Sequence, residues 1–552
     1  MKNRILILEQ PEFKRNEGCS DPAFLADFLK KNGFAVVLSS ARGLCDASTY
    51  AGTNVVILPY GPVFPVEARS AFLDFLASGG HFLSTGGYAF DSLVRHVCGR
   101  YEDLSLFEKR RIDLRMNTRF GLNEDHNVIL PDQIGIFQPG WKLEYTSSLR
   151  SASESPFDGL PVDVPLACEG HIACCSNMGD KSSNYAAAGW EADSIEPSTL
   201  PVGRWFPLVE CYDRYCRPRG AAGAIRANYD GPYAGSIWAY FGVENINLFS
   251  GDYPELMELL LRILRFQCTG AFLAPCRPKD WVYDPGDSAC LPVHLVNVAE
   301  SDNVTLEISE YRTGKKLALL NAPSKKKVSH KTFALFNWSV EGTDTDLIRL
   351  TYILSRCGKT IDRLQSGIMI RRRELLTSGM DVKFRDNYFH VADRPMFLFG
   401  TDNTSRHHVN DSQDPISWWL DAQAASDGGV TIFEVLHQQE GVAEQKYGDR
   451  DKMTGEQLRS YDGMIQHTQQ LGQIYMGGLL ISHDIAVDDG KLERAGTKVR
   501  QFVEHTRGYK AMIHYLNGDY RVTLENKPFI RKMFSEFLQS RYAADGPPEG
   551  RT

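Results

Sequence analysis

No stretch of this 552-residue chain approaches the roughly 18 consecutive apolar residues of a membrane-spanning helix, so neither such a helix nor a membrane partner is expected. The opening Met-Lys-Asn-Arg and the apolar run Ile5 to Leu8 are too short for a secretory signal and stop at Glu9-Gln10-Pro11. They read as a buried first strand. A strong charge of either sign is also missing: 61 Lys and Arg face 69 Asp and Glu, a net charge of -8 that is mild for this length. This balance excludes a nucleic-acid scaffold and leaves neutral sugars and other small molecules as ligands. The twelve cysteines contain no C-x-x-C pair and stop at Cys357. Their spacing argues against a zinc site or a disulfide framework. It suits scattered thiols in a reducing compartment, and a cytoplasmic protein with neither metal nor cofactor is expected.

What the chain does have is 43% hydrophobic residues, 24% charged residues and 47 glycines, enough for about three or four globular domains with many tight loops. In residues 1–275 the apolar runs Ile5 to Leu8, Ala35 to Leu38, Val55 to Leu58 and His81 to Ser84 alternate with helical stretches over Pro22 to Lys31 and Val66 to Ala77. Fully apolar strands of this kind belong to a parallel sheet covered on both faces. From about 100 to 200 the pattern degrades into loops rich in Ser, Asn, Asp and Pro, with Ser176 to Ala187 at the surface. Order returns between Arg204 and Ala227, in Gly235 to Gly242, and in a helix over Tyr253 to Phe266 that closes the domain.

Two segments, Asn54-Val-Val-Ile-Leu-Pro-Tyr-Gly61 and Gly79-Gly-His-Phe-Leu-Ser-Thr-Gly-Gly-Tyr88, resemble the class I glutamine amidotransferase-like fold, a flavodoxin-like domain that many multidomain glycosidases also carry. That family places a Cys nucleophile at the elbow after the second of these strands. Here the elbow reads Ser84-Thr-Gly-Gly-Tyr88, with no cysteine within nine residues on either side. The resemblance therefore implies a structural or oligomerising domain, with Ser84 or Thr85 as replacement nucleophile the alternative. Trp238 and Tyr240 could stack on sugar rings, although their alternation on one strand face favours core packing.

Residues 285–378 show short alternating runs about ten residues apart, rich in Thr and Val and without an amphipathic helix. The spacing predicts a β-sandwich, immunoglobulin-like in kind. Its basic runs Lys325 to Lys327 and Arg371 to Arg373 read as solvated loops or a charged edge strand.

Residues 381–552 repeat a strand followed by a helix four times: Met396 to Asn403 with a helix from about Asp414, Val430 to His437 with Thr454 to Leu471, Ile474 to His483 with Lys491 to Thr506, and Tyr509 to Asn517 with Pro528 to Tyr542. This is the pattern of the first half of a TIM-type (β/α)₈ barrel, whose chemistry sits at the strand ends. A hairpin turning at Arg385-Asp-Asn387 leads in through Arg394-Pro395, and a breaker-rich tail from Asp545 follows. Four such units leave two sheet edges and an apolar interior open, so further chain, a second polypeptide or a homo-oligomeric copy is expected to complete them.

The lead-in and strands resemble the retaining glycosidases of the (β/α)₈ clan A, and the last helix resembles that of the β-galactosidase-type members. In that clan the acid/base Glu follows an Asn at the end of strand four, and the nucleophile closes strand seven. Met512-Ile-His-Tyr-Leu-Asn-Gly-Asp-Tyr520 keeps Asn517 but has Gly518 in the Glu position, with Asp519 one place later. The resemblance makes Asp519 the acid/base and Asn517 a substrate-orienting residue; read from the residues alone, Asn517-Gly-Asp519 is first a βα turn with Asp519 near a helix start. Strand ends also offer Asp402, Asn403, Glu434, His437 and His483 to a sugar, with a metal site at Asp402, His437 and His483 as another reading. Glu434 would be a second carboxylate only in a departure from the clan. A retaining hydrolysis of β-glycosides such as β-galactosides is the function so implied. The rival is a non-catalytic carbohydrate-binding or assembly subunit.

Overall fold

The computed structural model describes residues 3–13, 15–87, 90, 92–103, 144–152, 155–157, 159, 162–172, 203–276, 278, 280–322, 325–328, 331–340, 345–391, 393–403, 414–438, 453–480, 489–517 and 528–542. The chain is a multidomain α/β protein with mixed parallel and antiparallel sheets. It divides into two compact units, one of residues 1–279, 288–339 and 348–366, the other of residues 280–287, 340–347 and 367–552. Among the described residues no helix is long and apolar enough to cross a membrane.

The first unit is built on a nine-stranded sheet in the order Ala35–Ser39, Arg4–Leu8, Val55–Leu58, His81–Ser84, Ile237–Phe241, Pro218–Asn228, Gly203–Tyr212, Glu144–Ser151 and Asp163–Ile172. Its first five strands are parallel and the rest antiparallel. Alternation sends Ile5, Ile7, Val55, Ile57 and Leu83 into one core with the helices Pro22–Lys31 and Pro254–Thr269. Leu6, Leu8, Val56, Leu58 and Phe82 enter a second core with Arg69–Ala77. Burial on both faces is what makes these strands apolar throughout. Asp21 caps the first helix, its Oδ1 accepting the Ala23 N–H at 2.9 Å, and Gly270 at φ 64° closes the last.

Two strands of this sheet fall where the sequence predicts loops. Glu144–Ser151 pairs with Gly203–Tyr212, and Asp163–Ile172 pairs with Glu144–Ser151 at the outer edge. The outer strand carries Pro165 and Glu169 and buries only Val164, Gly170 and Ile172, so no apolar run announces it. Strand pairing with a neighbour distant in sequence decides it instead. Ser176 to Ala187 lie outside the described residues.

The same unit continues into antiparallel strands. Phe272–Ala274, Ser288–Val296, Lys331–Ser339 and Lys325–Val328 form one sheet, so the lysine run is an edge strand. Asn303–Glu310 pairs with both Lys316–Asn321 and Leu347–Arg356 in another. Rings of Phe336 and Tyr352, one from each sheet, lie 5.9 Å apart. Arg204 reaches from the large sheet to the buried Asp362 at 2.7 Å.

In the second unit Val382–Arg385, Tyr388–Val391 and Arg394–Met396 form a three-stranded meander, whose first turn carries Asp386 and Asn387 at φ 51° and 62°. Both positive angles are those of a tight hairpin turn. Met396 to Asn403, expected as one strand, is divided. Antiparallel pairing to Tyr388–Val391 holds residues 394–396, and only Gly400–Asn403 joins the following sheet. That sheet has four parallel strands, Gly400–Asn403, Ile432–Gln438, Ile474–Leu480 and Met512–Asn517. Helices Pro415–Asp427, Gly455–Gln470 and Asp489–Thr506 connect them in turn, and Pro528–Tyr542 follows the last.

Candidate functional site

The register of the parallel sheet places each candidate residue. Asp402, Glu434, Met476 and Ile513 share one rung; Asn403, Val435, Gly477 and His514 share the next. His437 shares a rung with Leu479 and Leu516, and Gln438 shares one with Leu480 and Asn517. No bulge interrupts these pairings, so rungs two apart share a face and adjacent rungs do not.

Which face is which follows from described side chains. His514 Nε2 lies 2.6 Å from Thr506 Oγ1, and its ring packs on Phe502, both on the Asp489–Thr506 helix. Met512 joins Tyr461 and Phe502 in a small core, and a Cβ added at Gly477 would meet Phe502 at 3.3 Å. The rung of Gly477 and His514 therefore faces that helix. Asp402, Asn403, Glu434, His437 and Asn517 are placed here by strand register alone. His483 and Asp519 lie outside the described residues, as do His407, His408, Asn410 and Asp411. Trp418 is buried, and the Trp419 ring packs edge-on against His467 at 5.3 Å.

Beneath this sheet runs a charge network that sequence reading missed. Arg371, taken from the sequence as part of a solvated run, is 8% exposed and bonds both Asp284 and Asp462 at 2.6 Å. Asp462 is fully buried, and its Oδ1 also accepts from His505 Nε2 and from the Tyr509 hydroxyl, each at 2.8 Å. Burial works against the guanidinium charge, yet the two carboxylates more than offset it and raise the Arg371 pKa. Arg371's bond holds the Asp284 carboxyl below its usual range. A sequence signal existed: Asp462 interrupts the apolar residues Tyr461, Met464 and Ile465 on the buried side of a helix.

The elbow in the first unit is sealed. Ser84 is fully buried and Thr85 is 2% exposed, with the Thr85 hydroxyl 3.0 Å from that of Ser20. Gly61 and Gly86, at φ 63° and 81°, let backbones cross so closely that a Cβ on Gly61 would lie 2.2 Å from the Gly86 carbonyl oxygen. The nearby Cys19 thiol is pushed up by burial. Trp238 and Tyr240 are buried in the second core rather than offered to a ligand. Neither hydroxyl of the elbow is accessible to a substrate.

No family model and no curated protein matches this chain. Among solved structures it has weak similarity to glycoside hydrolases of the β-glucuronidase and β-galactosidase kind. An FMN-binding β-glucuronidase from Facaelibacterium prausnitzii L2-6 is 11% identical over 50% of this chain and 38% of its own, at a TM-score of 0.19. The β-galactosidase from Rahnella sp. R3 is 13% identical over 61% of this chain and 41% of its own, at 0.26. A ThuA-like protein from Bacteroides uniformis ATCC 8492 is 12% identical over 48% of this chain and 91% of its own, at 0.26. This chain spans well under two thirds of the length of either glycosidase. Similarity at these scores fixes neither its fold nor its chemistry.

Proposed function

We propose that residues 381–552 are the first four units of a (β/α)₈ barrel and contribute half of the active site of a retaining β-glycosidase. In this reading residues 1–275 form an amidotransferase-like domain without a nucleophile and residues 285–378 an immunoglobulin-like sandwich. The observation that carries the proposal is the four-stranded parallel sheet whose strands are joined in turn by helices, with Asp402 and Asn517 at the ends of its outer strands. Asp519 would protonate the leaving oxygen and Asn517 would orient the sugar, while the nucleophile would come from a strand beyond these four. Further chain, a second polypeptide or another copy would supply that strand. Asp402, Asn403, Glu434, His437 and His483 would contact the sugar.

Hydrolysis of aryl β-galactosides and β-glucosides, measured beside calorimetric binding of a β-galactoside, tests the proposal. Turnover by a completed particle that falls at least about 100-fold in Asp519→Asn supports it. Sugar binding without turnover, unchanged by Asp519→Asn, would replace it with the carbohydrate-binding reading.

A further inference from the structure

We draw no further inference here: the strongest candidate, the exposed arginine and tyrosine cluster at the tip of the hairpin between Gly203–Tyr212 and Pro218–Asn228, has Arg217 paired with Asp213 and the adjacent Arg150 with Asp163, and nothing in the structure shows what would bind the rest.

Discussion

At the scale of single residues, the informative groups are charges placed where chains rarely tolerate them. His81 is buried, accepts the Ile237 N–H at 3.0 Å on Nδ1, and has its pKa lowered by burial from 6.5 to about 4. Its folded pKa lies below the unfolded value, so the unfolded chain takes up the proton first. The stability at stake is fully present above pH 6.5 and is lost as pH falls toward 4, by ~3 kcal/mol. Calorimetric unfolding between pH 7 and 4 should show this slope for the first unit and a flatter one in His81→Gln. Arg371 makes the opposite case, a buried cation kept charged by two carboxylates. Arg371→Met or Asp462→Asn should each destabilise the second unit by roughly 3–5 kcal/mol. Denaturant titration of both single variants and the double variant checks it, because a coupled pair gives a double loss well below the sum.

At the scale of elements, strand parity separates candidates that look alike in sequence. Phe433-Glu-Val-Leu-His437 leaves the direction of its acid and its imidazole open, because the run is apolar on both sides. The register sets Glu434 level with Asp402 and His437 three rungs on. An odd separation means opposite faces. In the proposed barrel, Glu434→Gln is expected to weaken binding of a β-galactoside while leaving the melting temperature within about a degree. His437→Ala should lower the melting temperature by several degrees as well as weaken binding. The reverse pattern in paired calorimetry and thermal melts would reassign the faces. Gly61 and Gly86 teach a similar lesson, since their need for glycine comes from a backbone crossing between segments far apart in the chain.

At the scale of the whole molecule, exposed apolar surface concentrates in the second unit. Phe384, Tyr388, Phe397 and Phe399 are 56–87% exposed, and the Pro528–Tyr542 helix exposes Phe534, Phe537 and Leu538. Surfaces of this kind mark contacts with other protein. If four further β/α units cover them, as the proposed barrel requires, the Phe534→Ser/Phe537→Ser double variant of the chain alone should bind less of the dye ANS than the unsubstituted chain. In a completed particle the dye should bind neither form. Equal dye binding by both forms of the isolated chain would remove this helix from the covered surface.

Elements with a local cause were legible in the chain itself. Apolar runs marked the parallel strands, the capping Asp21 and Pro22 opened the first helix, and Asp386-Asn387 turned the hairpin, because burial on both faces, caps and positive φ leave a signature within a few residues. Features that depend on partners distant in the chain took form on folding. Asp163–Ile172 became a strand through an edge pairing, and Arg371 became a buried ion through Asp284 and Asp462. In each case the energy resides in a contact between segments that sequence order keeps apart.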